Sequence, residues 1–529
     1  MIRTLLSICL LITTLTVTAK DPIRVEIETK HGDHHTIVPI GNKGVLFFYH
    51  TANSEGNQPI WEFYKLNTEL KEVWKKEYPV LKGLTYINHD YSGSNLFVLL
   101  ANPSSITRYQ IIRINVDTGK INDFIGEAPM KLDFVDFKVL GTKAIIGANK
   151  IPTNAGIYGR SCLAMSACYL PILFGFDVKP TNAMFVHYDF DTKRSKILAP
   201  NTRGTSFTQD LSKDTLNQRF EAVVSTTERN QDLLTLKAFN KNGQGLGTLK
   251  IVSGEERSLL TARIAFSDKE EKVVMGTYTP QKLRKASTGT AGASGVYFTK
   301  IESGKQKFIK YHHFKEFESF WEYLSHRSSN RIHKKLMKDE ARGKETNLSY
   351  NLLVHDLQQH GDELIMVGEA YYPEYHTETY WTTGPNGQPT MQTRQVFDGW
   401  RYTHAIIAGF NKDGDLLWNN SFPIMDILTF DLRERIKTVR SKDKMILVYS
   451  YGGSIKSKTI QGNNVIDNKS ITEIPTFDDT ELARRNQESD IEYWYDKNFI
   501  AFGYQVIKDI DERPGNKKRS VFYFTKVDF

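Results

Sequence analysis

Two distant stretches of the chain share one order of residue types: Leu66–Pro79, LNTELKEVWKKEYP, and Phe410–Pro423, FNKDGDLLWNNSFP. Both read apolar residue, Asn, turn, apolar residue, Trp, three polar residues, aromatic, Pro, without a gap. A degraded third copy begins at Phe239 (FNKNGQGLGTLKI). Self-similarity of this kind marks a repeat architecture. The unit reads as two strands joined by a polar turn, with Trp74 and Trp418 placed to dock on a neighbouring unit.

A second element recurs eight times, a short apolar run that ends at Gly or Tyr and is often entered through a polar turn. The runs are GVLFFYHT from Gly44, NLFVLLAN from Asn95, KAIIGANK from Lys143, RFEAVVST from Arg219, KVVMGTYT from Lys272, ELIMVGEAYY from Glu363, KMILVYSYG from Lys444 and NFIAFGYQV from Asn498. Their length and their β-branched and aromatic content predict strands. Most are followed by a partner strand, among them IWEFYKLN, YQIIRINVDTG, AMFVHYDFDT, LLTLKAFNKNG, GVYFTKIESG, HAIIAGFNKDG and VFYFTKVDF. The unit at Lys444 shows no clear partner. The spacing, about 65 residues, exceeds a bare four-stranded blade, and insertions account for the excess.

The chain ends inside a strand at Phe529, and Ile23–Thr29 (IRVEIET) is available to complete that last unit. Joining the termini would close a ring and remove an exposed edge. The fold class is therefore all-β, a closed β-propeller with eight blades by repeat count. Seven blades is the near alternative, and a pair of β-sandwiches the other architecture compatible with the strands. By length 529 residues would make several domains, but repeat folds evade that arithmetic.

Residues 1–19 read as a secretory signal peptide. Arg3 supplies the charge, Leu5 to Leu15 a short apolar run, and Thr16–Ala19 a small-residue cleavage site. The run is too short to span a bilayer, and no Cys follows it to carry a lipid anchor. Residues 20–529 are then one exported domain. Export leaves only Cys162 and Cys168, a pair that could close a small loop in an oxidising compartment. The net charge of +8 is spread over 69 basic and 61 acidic residues, which reads as a solvated surface and not as a nucleic-acid footprint.

Three insertions interrupt the rhythm. Residues 153–180 contain CLAMSACYLPILFGF, too interrupted by Pro171 and Gly175 for a spanning helix. This is either a plug-like or anchoring loop that enters a partner protein or the membrane interface, or a segment folded back over the propeller face to close the central channel. In 314–345, Phe314, Phe317, Phe320, Trp321 and Leu324 mark one face of an expected helix, followed by the basic run RIHKKLMK. Residues 373–402 form an aromatic hairpin turning at 384–387. The polar segment 478–490 reads as a short exposed helix or loop.

Signals for chemistry are sparse. The HGDHH cluster (His31, His34, His35) has no converging partner of zinc-site spacing, so no metal is expected, and His355 and His360 read as structural. Glu369 stands beside Tyr371 and Tyr372 at the end of a buried strand, where a propeller places pocket residues, and is the best single acid–base position. Nucleophile elbow, phosphate loop and dinucleotide fingerprint are all missing. No catalytic residue and no cofactor is assigned.

The DGxLLW turn from Asp413 to Trp418 resembles the tryptophan-bearing repeats of quinoprotein-like propellers and the Asp-box of sialidases. The first resemblance implies a quinone held beside adjacent cysteines and calcium, whereas Cys162 and Cys168 are separated in this chain. The second implies an arginine cluster that the sequence does not display. FKEFESFWEYLSHR, with NLLVHDLQQHGDELIMVGEAYYPEY, resembles secreted β-propeller proteins of Bacteroidota without assigned activity. For a soluble protein of this size, that resemblance implies a role such as the periplasmic plug of the type 9 secretion translocon.

The resulting expectation is a periplasmic binding or scaffold subunit, or one held at the periplasmic side of the outer membrane, with secretion from the cell as the alternative. Its partner would be an envelope protein such as an outer-membrane secretion channel. Expected anchors are Cys162, Cys168, Tyr169, Phe174, Phe176, Tyr380, Trp381 and Trp400, since buried aromatics are the usual hot spots of interfaces. The rival is a glycan-active hydrolase or lyase, or a sugar- or peptide-binding propeller, using the central pocket around Glu369.

Overall fold

Eight apolar clusters, one for each contact between neighbouring blades, explain why the recurring runs carry apolar residues at odd and even positions alike. Side chains alternate across a strand, so a blade packed on both sides needs apolar residues at odd and even positions alike. Val45 and Phe47 face blade 8, whereas Leu46 and Phe48 face blade 2. Leu364 and Met366 face blade 5, and Ile365 and Val367 face blade 7.

The protein, seen in a computed structural model, is described for residues 23–29, 34–102, 106–151, 182–198, 205–228, 231–254, 256–267, 270–281, 292–343, 346, 348–383, 388–476, 481–509 and 518–529. The signal segment, His31, the 153–180 insertion with Cys162, Cys168, Tyr169, Phe174 and Phe176, and the turn at 384–387 lie outside them.

Antiparallel four-stranded blades follow one another in chain order. Blade 1 comprises His35–Pro39, Val45–Glu55, Gln58–Leu66 and Glu72–Pro79. Blade 2 comprises Thr85–Ser92, Asn95–Ala101, Ile106–Asn115 and the first half of Ile121–Leu140; the second half opens blade 3, followed by Lys143–Lys150, Ala183–Asp189 and Arg194–Leu198. Blade 4 is Thr205–Asp214, Arg219–Glu228, Gln231–Asn240 and Gly245–Ile251. Blade 5 begins with Arg257–Leu259 and Arg263–Phe266, then Glu271–Pro280, Gly295–Glu302 and Lys305–His313. Blade 6 begins with Asn351–Val354 and Gln358–His360, then Glu363–Thr383, Pro389–Phe410 and Leu416–Pro423. Lys437–Ser441, Lys444–Tyr451, Ser454–Gln461 and Asn464–Glu473 make blade 7. Blade 8 takes Glu481–Tyr495, Asn498–Asp509 and Arg519–Asp528 from the C-terminal end and Arg24–Glu28 from the N-terminal end. The propeller is closed and eight-bladed, and all eight recurring runs are the second strand of a blade.

The repeated Asn braces the turn into the outermost strand. Asn67 Oδ1 accepts the backbone N–H groups of Glu69 and Lys71, Asn240 those of Asn242 and Gln244, and Asn411 those of Asp413 and Asp415. The fourth turn residue is left-handed in each copy: Leu70 at φ 58°, Gly243 at 74° and Gly414 at 76°. It packs on the preceding blade. A Cβ on Gly243 would meet the His187 ring, and one on Gly414 the Phe298 ring, while Leu70 spends its own side chain in the contact with blade 8. Trp74 lies against Gly119 and donates to the Val116 carbonyl of blade 2. Trp418 reaches Gly462 of blade 7 and donates to Glu363, so both tryptophans dock on a neighbour.

Three local expectations are corrected. Phe314, Phe317, Phe320 and Trp321 lie in and between two short 3-10 turns, Phe314–Glu316 and Glu318–Trp321, separated by an extended Phe317. The α-helix, α1, starts only after the Ser325 cap and runs His326–Glu340 through the basic segment. The aromatic stripe is buried, but one-turn segments achieve it. Residues 481–490 belong to strand Glu481–Tyr495, because pairing with Asn498–Asp509 overrides their helix-forming composition. Blade 7 does have a third strand, Ser454–Gln461. Its Lys458 is buried, donating to Asn420 Oδ1 and the Ser421 carbonyl, so the expected apolar pattern is broken.

Gly414→Ala would place a Cβ 2.6 Å from Phe298 Cδ1 at a left-handed φ. A loss of roughly 1–3 kcal/mol is expected, read as a fall of several degrees in thermal midpoint.

Candidate functional site

In an antiparallel blade, the turns between strands one and two and between three and four share one face of the disc. The connections between strands two and three, and from blade to blade, share the other. The first set is tight; the second carries the insertions, and it is the loop face. The ends of the 153–180 insertion, Lys150 and Asn182, are hydrogen bonded there at 2.8 Å.

The most extended element on this face is an arm. Strands two and three of blade 6 continue past the blade without a break, pairing from Tyr371↔Tyr402 to Thr383↔Pro389 with a bulge at Glu374/Tyr375. Beyond Gly399, whose neighbours still pair with Leu428–Thr429, no third strand pairs with the ribbon among the described residues, although Phe397 at its root still meets Phe430. Nine residues on each strand give it a reach of about 30 Å. Its two faces differ. One carries the cross-strand pairs Tyr375–Phe397, Thr377–Gln395, Thr379–Thr393 and Trp381–Met391 and holds no charge. The other carries His376 beside Asp398 and Glu378 paired with Arg394. At the tip of the uncharged face Trp381 is 71 % and Met391 60 % exposed.

The expected surface anchors therefore divide. Tyr380 and Trp381 are exposed on the arm, on opposite faces. Trp400 is only 1 % exposed, wedged between Phe397 and Tyr371 at the arm's base, and is corrected from anchor to core. The Glu369 group divides too. Tyr372 is exposed and Tyr371 stands edge-on to Trp400, but Glu369 is fully buried. Its Oε1 accepts His355 Nε2 and the backbone N–H groups of Arg435 and Ile436, each at 2.8 Å. Glu369 thus anchors the connection from blade 6 to blade 7. Burial works against a charged His355, but Glu434 and Glu369 outweigh it and raise its pKa. His35 of the HGDHH cluster stacks on Phe522, ring centroids 4.7 Å apart, and its Nδ1 lies 3.2 Å from Tyr504 Oη.

The 314–345 insertion packs at the base of the arm. Tyr323 stacks on His404 at 4.0 Å and Phe320 meets the same ring edge-on. Glu322 accepts a hydrogen bond from Ser421. Burial alone lowers the His404 pKa to about 3.

Sequence reasoning missed the ionic belt around the channel. Only innermost strands can touch across more than one blade, and Lys213 of blade 4 donates to both carboxylate oxygens of Asp90 in blade 2 at 2.7 Å. Arg263 of blade 5 ties Asp210 of blade 4 (3.1 Å) to the Val354 carbonyl of blade 6. Lys437 of blade 7 pairs with Glu492 of blade 8 at 2.9 Å, and Arg433 with Asp490 at 3.2 Å. Asp136 pairs with Lys138 and accepts from Asn88, yet burial raises its pKa to about 6. Asp356, 3.9 Å from Arg263 Nε, has its side chain 81 % exposed. Among the described residues no group of three or more His, Cys, Asp or Glu could hold a metal ion.

No family model matches the chain, and no curated protein matches it. Solved structures resemble it only in broad outline. A quinohemoprotein alcohol dehydrogenase from Pseudomonas putida HK5 superposes with a TM-score of 0.41 at 11 % identity, over 93 % of this chain and 73 % of that one. A europium-containing methanol dehydrogenase gives 0.40 at 10 %, over 94 % of each chain. A prolyl endopeptidase gives 0.38 at 9 %, over 91 % of this chain and 55 % of that one. Likeness of this size carries no chemistry across.

A base whose folded pKa lies below its ordinary 6.5 stabilises the fold above that value, and the contribution is lost as pH falls. For His404 the loss runs from pH 6.5 towards its folded value near 3, at about 1.4 kcal/mol per pH unit. Thermal midpoints should therefore drop between pH 7 and 4, and drop less in His404→Phe.

Proposed function

We propose that the protein is an exported binding subunit of the cell envelope and that the blade 6 arm is its contact element. The observation behind this reading is the arm's uncharged face. A two-stranded ribbon is marginal on its own, yet here one extends well past the blade and ends in an exposed Trp381–Met391 pair. The backbone edges of the ribbon suit strand addition to a partner sheet, and the side chains of the uncharged face suit its pockets. The apolar segment 153–180, its ends on the same face, would add a second contact. The signal-like segment 1–19 supports export, and the proposed address is the periplasm or the periplasmic side of the outer membrane, with secretion from the cell as the alternative. An outer-membrane secretion channel is the partner class that an inserting arm fits, and the subunit would plug or gate it.

One observation favours a second reading. Carboxylates and cations converge on the channel, as a glycan-active or ligand-binding propeller would require. Against it, most of them are committed to ion pairs between blades, and Glu369 is sealed from solvent.

The test is capture of partners from solubilised envelope by the tagged chain, beside a variant with 377–395 replaced by a short turn, which keeps Tyr375 and Phe397 at the base. A stoichiometric partner lost with the arm, at an unchanged thermal midpoint, is the expected result. Equal capture by both would remove the arm from the account. No partner with either, together with glycan binding, would favour the channel.

A further inference from the structure

Helix α1 shows two different surfaces. Ser329, Ile332, Leu336 and Asp339 form its half-buried side, with Ile332 and Leu336 packed on the blade 5–6 cluster. At about 100° per residue, Arg327, Arg331, Lys334, Lys335 and Lys338 fall within one outward sector about 100° wide. They make a straight row about 16 Å long at 1.5 Å per residue. All five are exposed, and the first turn holds no acid. Arg327, Arg331, Lys334 and Lys338 have no ion-pair partner among the described residues. Strand lysines such as Lys143 and Lys300, by contrast, each meet a carboxylate. Met337 flanks the row at 72 % exposure.

We propose that this face of α1 is an electrostatic docking stripe for an anionic phospholipid surface. Charge complementarity selects an anion. The stripe's form selects a surface over a peptide, since the helix side offers a row of exposed point charges but no groove and no strand edge to fix a backbone. The helix turns its apolar side inward, so contact is with headgroups and not by insertion. Such a contact would hold the propeller against a membrane face independently of what the arm engages, and it goes beyond the partner-binding reading.

The experiment is co-sedimentation of the full chain with phosphatidylcholine vesicles, with and without phosphatidylglycerol. Binding to the anionic vesicles alone is expected, falling as ionic strength rises from about 0.05 to about 0.5 M. The variant Arg331→Glu, Lys334→Glu, Lys338→Glu should lose about a hundredfold in affinity at an unchanged thermal midpoint. A milder triple variant to Gln should fall in between, and serves if the reversal does not fold. Equal binding to neutral vesicles, or undiminished binding by either folded variant, would overturn the proposal. So would capture of polyglutamate without vesicle binding, which would assign the stripe to an acidic polypeptide. Vesicle binding lost only when the arm is trimmed would also overturn it, whereas loss of the arm's protein partner alone leaves it standing.

Discussion

The rest of the fold depends on the pairing of Arg24–Glu28 with the strand Arg519–Asp528. A blade with two apolar faces has nowhere to put either unless a neighbour stands on each side, so an open ring would expose both end faces. The five-residue strand from the start of the chain completes blade 8 and thereby seats it against blade 1. Arg24 is the seam's polar lock, with Nε on Glu26, one terminal nitrogen on the Pro475 carbonyl, the other on Gln505, and its guanidinium 4.4 Å from the centre of the Tyr523 ring. Arg519 adds contacts to Glu26 and Glu481, and Trp494 of blade 8 donates to the Gly44 carbonyl of blade 1 at 2.7 Å.

A closed ring divides its surfaces by function. On the turn face, Asn-braced turns in αL geometry leave no room for insertions. Along the axis, ion pairs bind blade to blade, and losing one partner of a pair would leave the other's charge unmatched. Freedom remains on the loop face. There the chain places the arm, the helical insertion whose Tyr323 clamps His404 at the arm's base, and the ends of the apolar segment 153–180. Blade 6 and the connection that follows it are correspondingly well secured, with Glu369 holding Arg435 and Ile436 in place.

Much of this was legible in the sequence. The eight second strands stood out because packing on both faces makes them predominantly apolar, and the Trp of the repeats declared its docking role through spacing, whereas the bracing role of the Asn came only with the structure. What stayed hidden has a physical cause in each case. Lys458 disguised a strand because a buried lysine can be satisfied by Asn420 and Ser421, which lie in another blade. The stripe from Phe314 mimicked a helix because aromatic burial is indifferent to whether α or 3-10 turns deliver it. The run from Glu481 reads helical until its partner strand is known. The channel belt was invisible because its pairs join residues as distant as Asp90 and Lys213, 123 positions apart. Glu369 looked like a pocket residue because sequence shows the strand end and not the loop that closes over it.

Ring closure is the claim on which everything else rests, and hydrogen exchange reads it most directly. Exchange would be compared between the chain and a version lacking residues 23–29, following amides in 519–528 and 35–49. The account predicts that protection falls in both segments while the second strands of blades 3 to 5 keep theirs, with a lower thermal midpoint for the whole. Unchanged protection in 519–528 and an unchanged midpoint would contradict it.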